Sequence, residues 1–172
     1  MHEEQPFEAL LEAANAGDAE AQNAVGRVVI SRGGADSRNE AEEWFLRAAE
    51  QGLPKAKHNL GVLYLRDGLR KQAFKWFWEA AEADWLPSAF AVGSMCEEEG
   101  HADTAKKCFE SAAQRGHAES QDALGRIYFQ RDTEADYVIA RRWSEAAAAQ
   151  GVAAAYTRLV ARVNQVEGIL IL

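Results

Sequence analysis

The side chains able to do chemistry are few and dispersed. Four histidines stand at His2, His58, His101 and His117, and imidazole is the usual general base and metal ligand near neutral pH. Two of them, His101 and His117, fall in turns between helical stretches, where a polar turn role suffices. The run Glu97-Glu98-Glu99-Gly100-His101 with Asp103 has metal-ligating residue types. Adjacent carboxylates on a helix point in different directions, however, and no histidine pair at i, i+4 accompanies them. It reads as a solvated helix end, and Glu42-Glu43 as an exposed helix face. Cys96 and Cys108 are too few for a disulfide framework and read as buried free thiols. A nucleophilic cysteine needs an accessible, electropositive setting, and Cys108 occupies a core position in the register described below. There is no Gly-x-x-x-x-Gly-Lys loop, Gly-x-Ser-x-Gly elbow or Cys-x-x-Cys pair. Gly33-Gly34 lacks a preceding strand and reads as a turn. No catalytic, cofactor-binding or metal-binding residue is assigned, and the expectation is a protein that is not an enzyme.

Composition narrows the partners. The 172 residues are 48% hydrophobic and 27% charged, with a net charge of −8. That is too apolar for disorder and too acidic for a surface that neutralises phosphates, so nucleic acid and anionic membranes are disfavoured. A basic or apolar protein partner is the easier match. The N-terminal Met1-His2-Glu3-Glu4-Gln5 has no signal-like character, and no stretch approaches the roughly 20 apolar residues of a membrane span. The expected location is cytoplasmic. Only 3 prolines against 13 glycines, with recurrent alanine, favour helix throughout.

What organises the chain is a motif that returns. Ala-Ala-x-x-Gly occurs at 13–17, 48–52, 112–116 and 147–151, and a fifth copy at 80–84 ends in Asp84. The punctuating residues 17, 52, 84, 116 and 151 lie at intervals of 35, 32, 32 and 35. Nine residues after each comes a second mark: Val25-Gly26, Leu60-Gly61, Val92-Gly93 and Leu124-Gly125, lapsing to Leu159-Val160. Tyr64 and Tyr128 follow it at a constant offset. A third mark precedes each alanine pair: Ala41-x-x-Trp44, Ala73-x-x-Trp76, Ala105-x-x-Cys108 and Ala140-x-x-Trp143.

Each mark has a physical reason. Glycine after Ala-Ala-x-x stops a helix by taking the left-handed conformation without a Cβ penalty. Glycine inside a helix costs about 1 kcal/mol against alanine. Its repetition implies close helix–helix approach, with the tryptophan of the next helix expected to fill the space. Trp44, Trp76 and Trp143 are thus the expected largest core plugs.

These residues resemble the Sel1-like repeat, a relative of the tetratricopeptide repeat. Its pattern is an Ala-rich start, Leu-Gly-x-x-Tyr, a loop, Ala-x-x-Trp and Ala-Ala-x-x-Gly. The resemblance runs from about Phe7 to Val163 and is fullest from Ala56 to Asp84. The Gly-x-Gly-Val loop of the family is largely absent, and the third copy carries Cys108 for Trp. Ordinary tetratricopeptide repeats are the alternative, against which Ala-x-x-Trp and the variable repeat length argue. The resemblance implies an all-α fold, a right-handed α/α solenoid superhelix of helix–turn–helix repeats. Residues 1–172 form one domain in this reading. Four full repeats span about 18–151, between an N-terminal half-repeat at 6–17 and a C-terminal capping helix at 152–172. Ten helices are expected, at about 6–16, 18–32, 38–51, 54–67, 69–83, 86–99, 102–115, 118–131, 136–150 and 152–166.

In such a solenoid the first helix of each repeat lines a concave groove, which the resemblance supplies and the periodicity does not. Counting from the Leu-Gly glycine, the lining is Asn23, Arg27, Ile30 and Ser31, then His58, Val62, Leu65 and Arg66. Phe90, Ser94, Glu97 and Glu98 follow, and Asp122, Arg126, Phe129 and Gln130 complete it. Ile30, Leu65, Phe90 and Phe129 are the apolar anchors, with Arg27, Arg66 and Arg126 between them, a composition typical of interaction hot spots; the competing reading buries these residues as core. The expected function is a non-catalytic adaptor holding a partner protein segment in the groove. A dedicated inhibitor, such as an immunity protein that occludes a toxin, is the alternative, and an enzyme with an unrecognised site a third. Ile169-Leu170-Ile171-Leu172 either caps the last helix or mediates weak self-association.

Overall fold

The computed structural model describes residues 4–131, 133–158 and 160. They form α1 (Glu4–Asn15), α2 (Ala19–Arg32), α3 (Ser37–Glu50), α4 (Pro54–Arg66) and α5 (Arg70–Glu82). There follow α6 (Leu86–Glu98), α7 (Ala102–Gln114), α8 (Ala118–Phe129) and α9 (Glu134–Ala149). A further helical run covers 153–158 and 160. No strand occurs among the described residues, and no helix among them is long and apolar enough to cross a membrane. Each boundary of α1 to α9 lies within two residues of the expected one. The expected end of the tenth helix and the Ile169–Leu172 segment lie outside the described residues.

The chain divides into two compact units, one ending at Ser88 and one beginning at Ala89, inside α6. In the first unit each of α1 to α4 packs on the helix that follows it; in the second, α7 packs on α8 and α8 on α9.

The Ala-Ala-x-x-Gly motif is a helix stop with one hydrogen-bond pattern. The first alanine of the pair accepts a bond from the amide of the residue after the stop, at 3.1 Å for Ala13 and Asp18 and 3.2 Å for Ala48 and Leu53. Ala80 accepts from Trp85 at 3.0 Å, Ala112 from His117 at 3.1 Å and Ala147 from Val152 at 3.1 Å. This is the six-to-one bond of a Schellman cap, and it requires a left-handed residue between donor and acceptor. Gly116 supplies it with φ +90°, and Asp84 adopts the same region at φ +64°. The next helix begins at once: the Asp18 carboxylate accepts from the Ala21 amide at 2.7 Å, and Pro54 opens α4.

The glycine inside each first helix marks a close approach, but the residue it meets is not the tryptophan. A Cβ on Gly26 would lie 2.7 Å from the Phe45 ring, one on Gly61 2.6 Å from Phe77, and one on Gly93 2.6 Å from Phe109. Phe77 and Phe109 are the largest fully buried side chains described. Trp44 is buried, yet Trp76 and Trp143 are only half-buried, which corrects the expectation that the tryptophans plug the core. One residue along a helix turns the side chain by about 100°. The phenylalanine therefore points at the glycine while the tryptophan lies towards the rim, with the Arg47 guanidinium 4.6 Å from the Trp44 ring centre. Cys108, at a tryptophan position, is accordingly half-buried while Cys96 is buried, and both thiols are free.

At Gly116 nothing lies within 4 Å of an added Cβ, so its cost is conformational alone. Gly116→Ala should lower stability by about 1–2 kcal/mol, and Gly116→Asn by less, because Asn tolerates the left-handed region. An unchanged urea midpoint for the alanine variant would contradict the cap.

Candidate functional site

The residues expected to line a groove fall on α2 and α4 in the first unit and on α6 and α8 in the second, with Gln130 at the C-cap of α8. In the first unit the arrangement departs from expectation. Asn23 is 4% exposed and accepts a hydrogen bond from the Asn59 amide at 2.7 Å, so it joins α2 to α4 instead of facing a ligand. Ile30 is half-buried against the core, and Ser31 is bonded to the Val28 carbonyl of its own helix at 2.8 Å. His58 is half-buried, with Nδ1 2.8 Å from Ser88 Oγ and its ring 5.3 Å from that of Phe77. Arg27, Leu65 and Arg66 are exposed, and Val62 is half-buried.

The second unit gathers five of its eight expected residues, Phe90, Ser94, Glu97, Asp122 and Arg126, around one recess. A cavity of about 190 Å³ is lined by Phe90, Ser94 and Glu97 from α6 and by Glu119, Asp122, Ala123 and Arg126 from α8, with Phe109 and Val152. Phe90 is half-buried, packed on Phe109 at 5.7 Å and on His117 at 5.6 Å between ring centres. The Arg126 guanidinium, expected on the groove lining, donates to both Glu97 oxygens, at 2.9 and 2.7 Å, and so is a paired group. Asp122 accepts from Arg158 at 2.8 Å. This ion pair holds the repeat position that Asn23 and Asn59 hold in the first unit, thirty-six residues apart in both cases. Phe129 does not line the cavity; its ring meets Tyr137 edge-on at 5.7 Å. Glu98 and Gln130 are exposed.

The other candidates for chemistry are placed as follows. His58 and Ser88 have the spacing of a base and a nucleophile, but Ser88 is fully buried and beyond the reach of substrate. His101 precedes α7 in an exposed turn, and His117 caps α8, its Nδ1 accepting from the Ser120 amide at 3.3 Å. Burial pushes both the Cys96 and the Cys108 thiols up, away from the reactive thiolate. No three His, Cys, Asp or Glu side chains among the described residues come together as metal ligands would.

Two polar devices were missed by the sequence reading. Glu42 is not a plain exposed carboxylate; it is half-buried and receives both the Tyr64 hydroxyl and the Arg38 guanidinium, which also reaches Asp67 at 2.6 Å. Burial, with the Glu42 contact, pushes the Tyr64 phenol up to about 12. Gln22 and Gln121 are buried at the same repeat position, each donating at 3.1 Å to the second alanine carbonyl of the preceding stop, Ala14 or Ala113. Each also accepts at 2.8 Å from the glutamine before the next stop, Gln51 or Gln150. The signal was available: both glutamines follow their stop glycine by five residues.

Comparison with known proteins agrees with the repeat architecture. A family model described as the Sel1 repeat matches residues 19–53, 54–85, 87–117 and 118–152. Among solved structures, the chain is similar to a protective antigen of uropathogenic Escherichia coli displaying an SLR fold, at 30% identity and a TM-score of 0.81 over 92% of this chain. It is similar to a Sel1 repeat protein from Oxalobacter formigenes at 27% identity, with a TM-score of 0.78 over 88% of the chain. The chain spans 36% of the first of these proteins and 66% of the second. YrrB, a TPR protein with an unusual peptide-binding site, shares the fold at 20% identity and a TM-score of 0.56, over 90% of this chain and 82% of its own. No curated protein matches by sequence.

The two half-buried histidines give a pH signature. Burial holds His58 and His117 below the ordinary histidine range, partly opposed at His117 by Glu119. The folded chain therefore binds fewer protons than the unfolded one near these pKa values. Stability present above about pH 6.5 is lost as pH falls through the unfolded value towards the depressed folded one. Tm should decline between about pH 7 and pH 5.5, and His58→Gln should flatten that decline. Identical profiles for variant and parent would contradict the assignment to His58.

Proposed function

The chain belongs to the Sel1 repeat family, and we propose that it is a non-catalytic interaction module that holds a segment of a partner protein against the first helices of its repeats. Sel1 and tetratricopeptide-like repeats are, as a class, protein-interaction modules. The observation that carries the reading here is the recess between α6 and α8. Its volume of about 190 Å³ is below the roughly 300–1,000 Å³ of small-molecule and cofactor sites. It suits a single anchoring side chain of a longer segment.

The chemistry of the recess fits that use. Phe90, Phe109, Ala123 and Val152 supply apolar surface, and Glu97, Asp122 and Arg126 supply polar groups already held by ion pairs. Side chains fixed before a partner arrives lose little further entropy on binding. YrrB, a TPR protein with an unusual peptide-binding site, is a precedent for a peptide held on this fold.

Ser94 is half-buried on the lining, so an arginine there fills the recess. Ser94→Arg should reduce partner capture from native cells at least about tenfold, the equivalent of about 1.4 kcal/mol, with the helical circular dichroism spectrum intact. Ser111→Arg, on exposed α7 surface, is the matched control and should capture as the parent does. Equal recovery of the same partner by the parent and by both variants would overturn the site.

A further inference from the structure

A second surface, on α5, departs from its counterparts in a way that repeat packing does not require. Counting from the alanine of the Ala-x-x-Trp mark, the next residue and the fifth lie on one face of the second helix. In α7 these are Lys106 and Glu110, an ion pair at 3.6 Å, and in α9 they are Arg141 and Glu145, at 2.7 Å. In α3 they are Glu42, bound to Tyr64 and Arg38, and Leu46, packed on the core. In α5 they are Phe74 and Trp78.

The two rings stack, with centres 6.0 Å apart and planes 21° from parallel, and Trp78 is 44% exposed. Phe74, Lys75, Trp78 and Glu79 line an open recess of about 440 Å³. Leu69, at the start of the helix, is 42% exposed. A half-buried Phe74 stacked on an exposed Trp78, where α7 and α9 carry an ion pair, is surface that a partner desolvates.

Charge says what kind of partner. Arg70, Lys71 and Lys75 are exposed along the first turns of α5, with no carboxylate from Gly68 to Trp78, in a chain whose net charge is −8. The single carboxylate beside the rings, Glu79, is shared between Lys57 at 3.1 Å and Lys75 at 4.0 Å, which leaves the lysines in excess over it. We infer that the Phe74–Trp78 face of α5 is a second docking surface, for an acidic protein segment that carries an apolar anchor beside its carboxylates. The anchor stacks on the two rings, and the carboxylates meet Lys71 and Lys75. This surface lies on a second helix and is independent of the recess on α6 and α8.

The test uses the full chain and a labelled synthetic peptide, Gly-Asp-Glu-Leu-Phe-Glu-Asp-Gly. Its counterpart has every Asp and Glu replaced by the amide. Fluorescence anisotropy should show saturable binding of the acidic peptide, at least tenfold tighter than the amide form and weakening as salt rises. Phe74→Lys with Trp78→Glu installs the ion pair that α7 and α9 already hold, so the fold should persist by circular dichroism while affinity falls tenfold or more. Lys71→Glu with Lys75→Glu leaves the aromatic pair in place and should abolish the preference for the acidic peptide; it carries the test if the first variant unfolds. Absence of saturable binding, equal binding of both peptides, or undiminished binding by a folded Phe74→Lys/Trp78→Glu variant would overturn the inference. Tighter binding of a single-stranded oligothymidylate would also overturn it, as would a dimer by sedimentation that the aromatic substitutions dissolve, since the face would then belong to nucleic acid or to a second copy.

Discussion

In three successive repeats an aromatic ring of the second helix occupies the space that a Cβ on the first helix would need. Phe45 lies against Gly26, Phe77 against Gly61 and Phe109 against Gly93. The contact brings the helices close, and because it is a ring in a notch it allows one register only. An interior at crystal-like density does not absorb an added methyl group, and overpacking of this kind typically costs about 1–3 kcal/mol. That loss equals or exceeds the roughly 1 kcal/mol of helix propensity forgone by glycine. The fourth repeat meets the same constraint differently: Ser144 replaces the phenylalanine, and an added Cβ on Gly125 would strike its hydroxyl and lie 3.3 Å from its backbone nitrogen.

The orientation of every other position on the first helix follows from that register. With the glycine turned into the second helix, the residue three before it lies about 60° round the helix and the residue after it about 100° round, so both flank the contact instead of sitting in it. The repeat that follows can then cover them, as it covers Asn23, or leave them around an open recess, as with Phe90 and Arg126. The Schellman stops do the complementary work along the chain. They turn the backbone sharply enough that helices separated by a few residues pack on one another. Buried glutamines add one more tie per unit between a stop and the helix that follows it. Within so uniform a frame, chemical individuality is confined to the positions the frame does not use. The charged lining between α6 and α8 and the aromatic face of α5 are both of that kind.

Much of this was legible in the residues. The helix boundaries and the four repeats followed from three marks in register, because each mark answers to a local cause: a left-handed stop, a close approach, a small pair. Asp84 kept the stop function without glycine, as the spacing implied. What the residues hid was direction and pairing. Trp76 and Phe77 are adjacent, large and apolar, and the period of a helix does not say which one meets the glycine. Arg126 finds Glu97 twenty-nine residues away and Asp122 finds Arg158 thirty-six away, each about one repeat distant. Such partners are visible only once the repeats are stacked. Glu42 is of this kind in part: Arg38 stands four residues away on the same helix, whereas Tyr64 comes from α4.

The register contact is the claim on which the placement of both surfaces depends, and a double-mutant cycle reads it directly. Urea unfolding of the parent, Gly61→Ala, Phe77→Leu and the double variant isolates the interaction between the two positions. Both single changes are expected to destabilise, one by overpacking and one by leaving space. The double variant, in which the smaller side chain makes room for the added methyl, should lose less than the sum, with a coupling of about 1 kcal/mol or more. Losses that add to within about 0.3 kcal/mol would mean that Gly61 and Phe77 do not meet, and that something else sets the register of the helices.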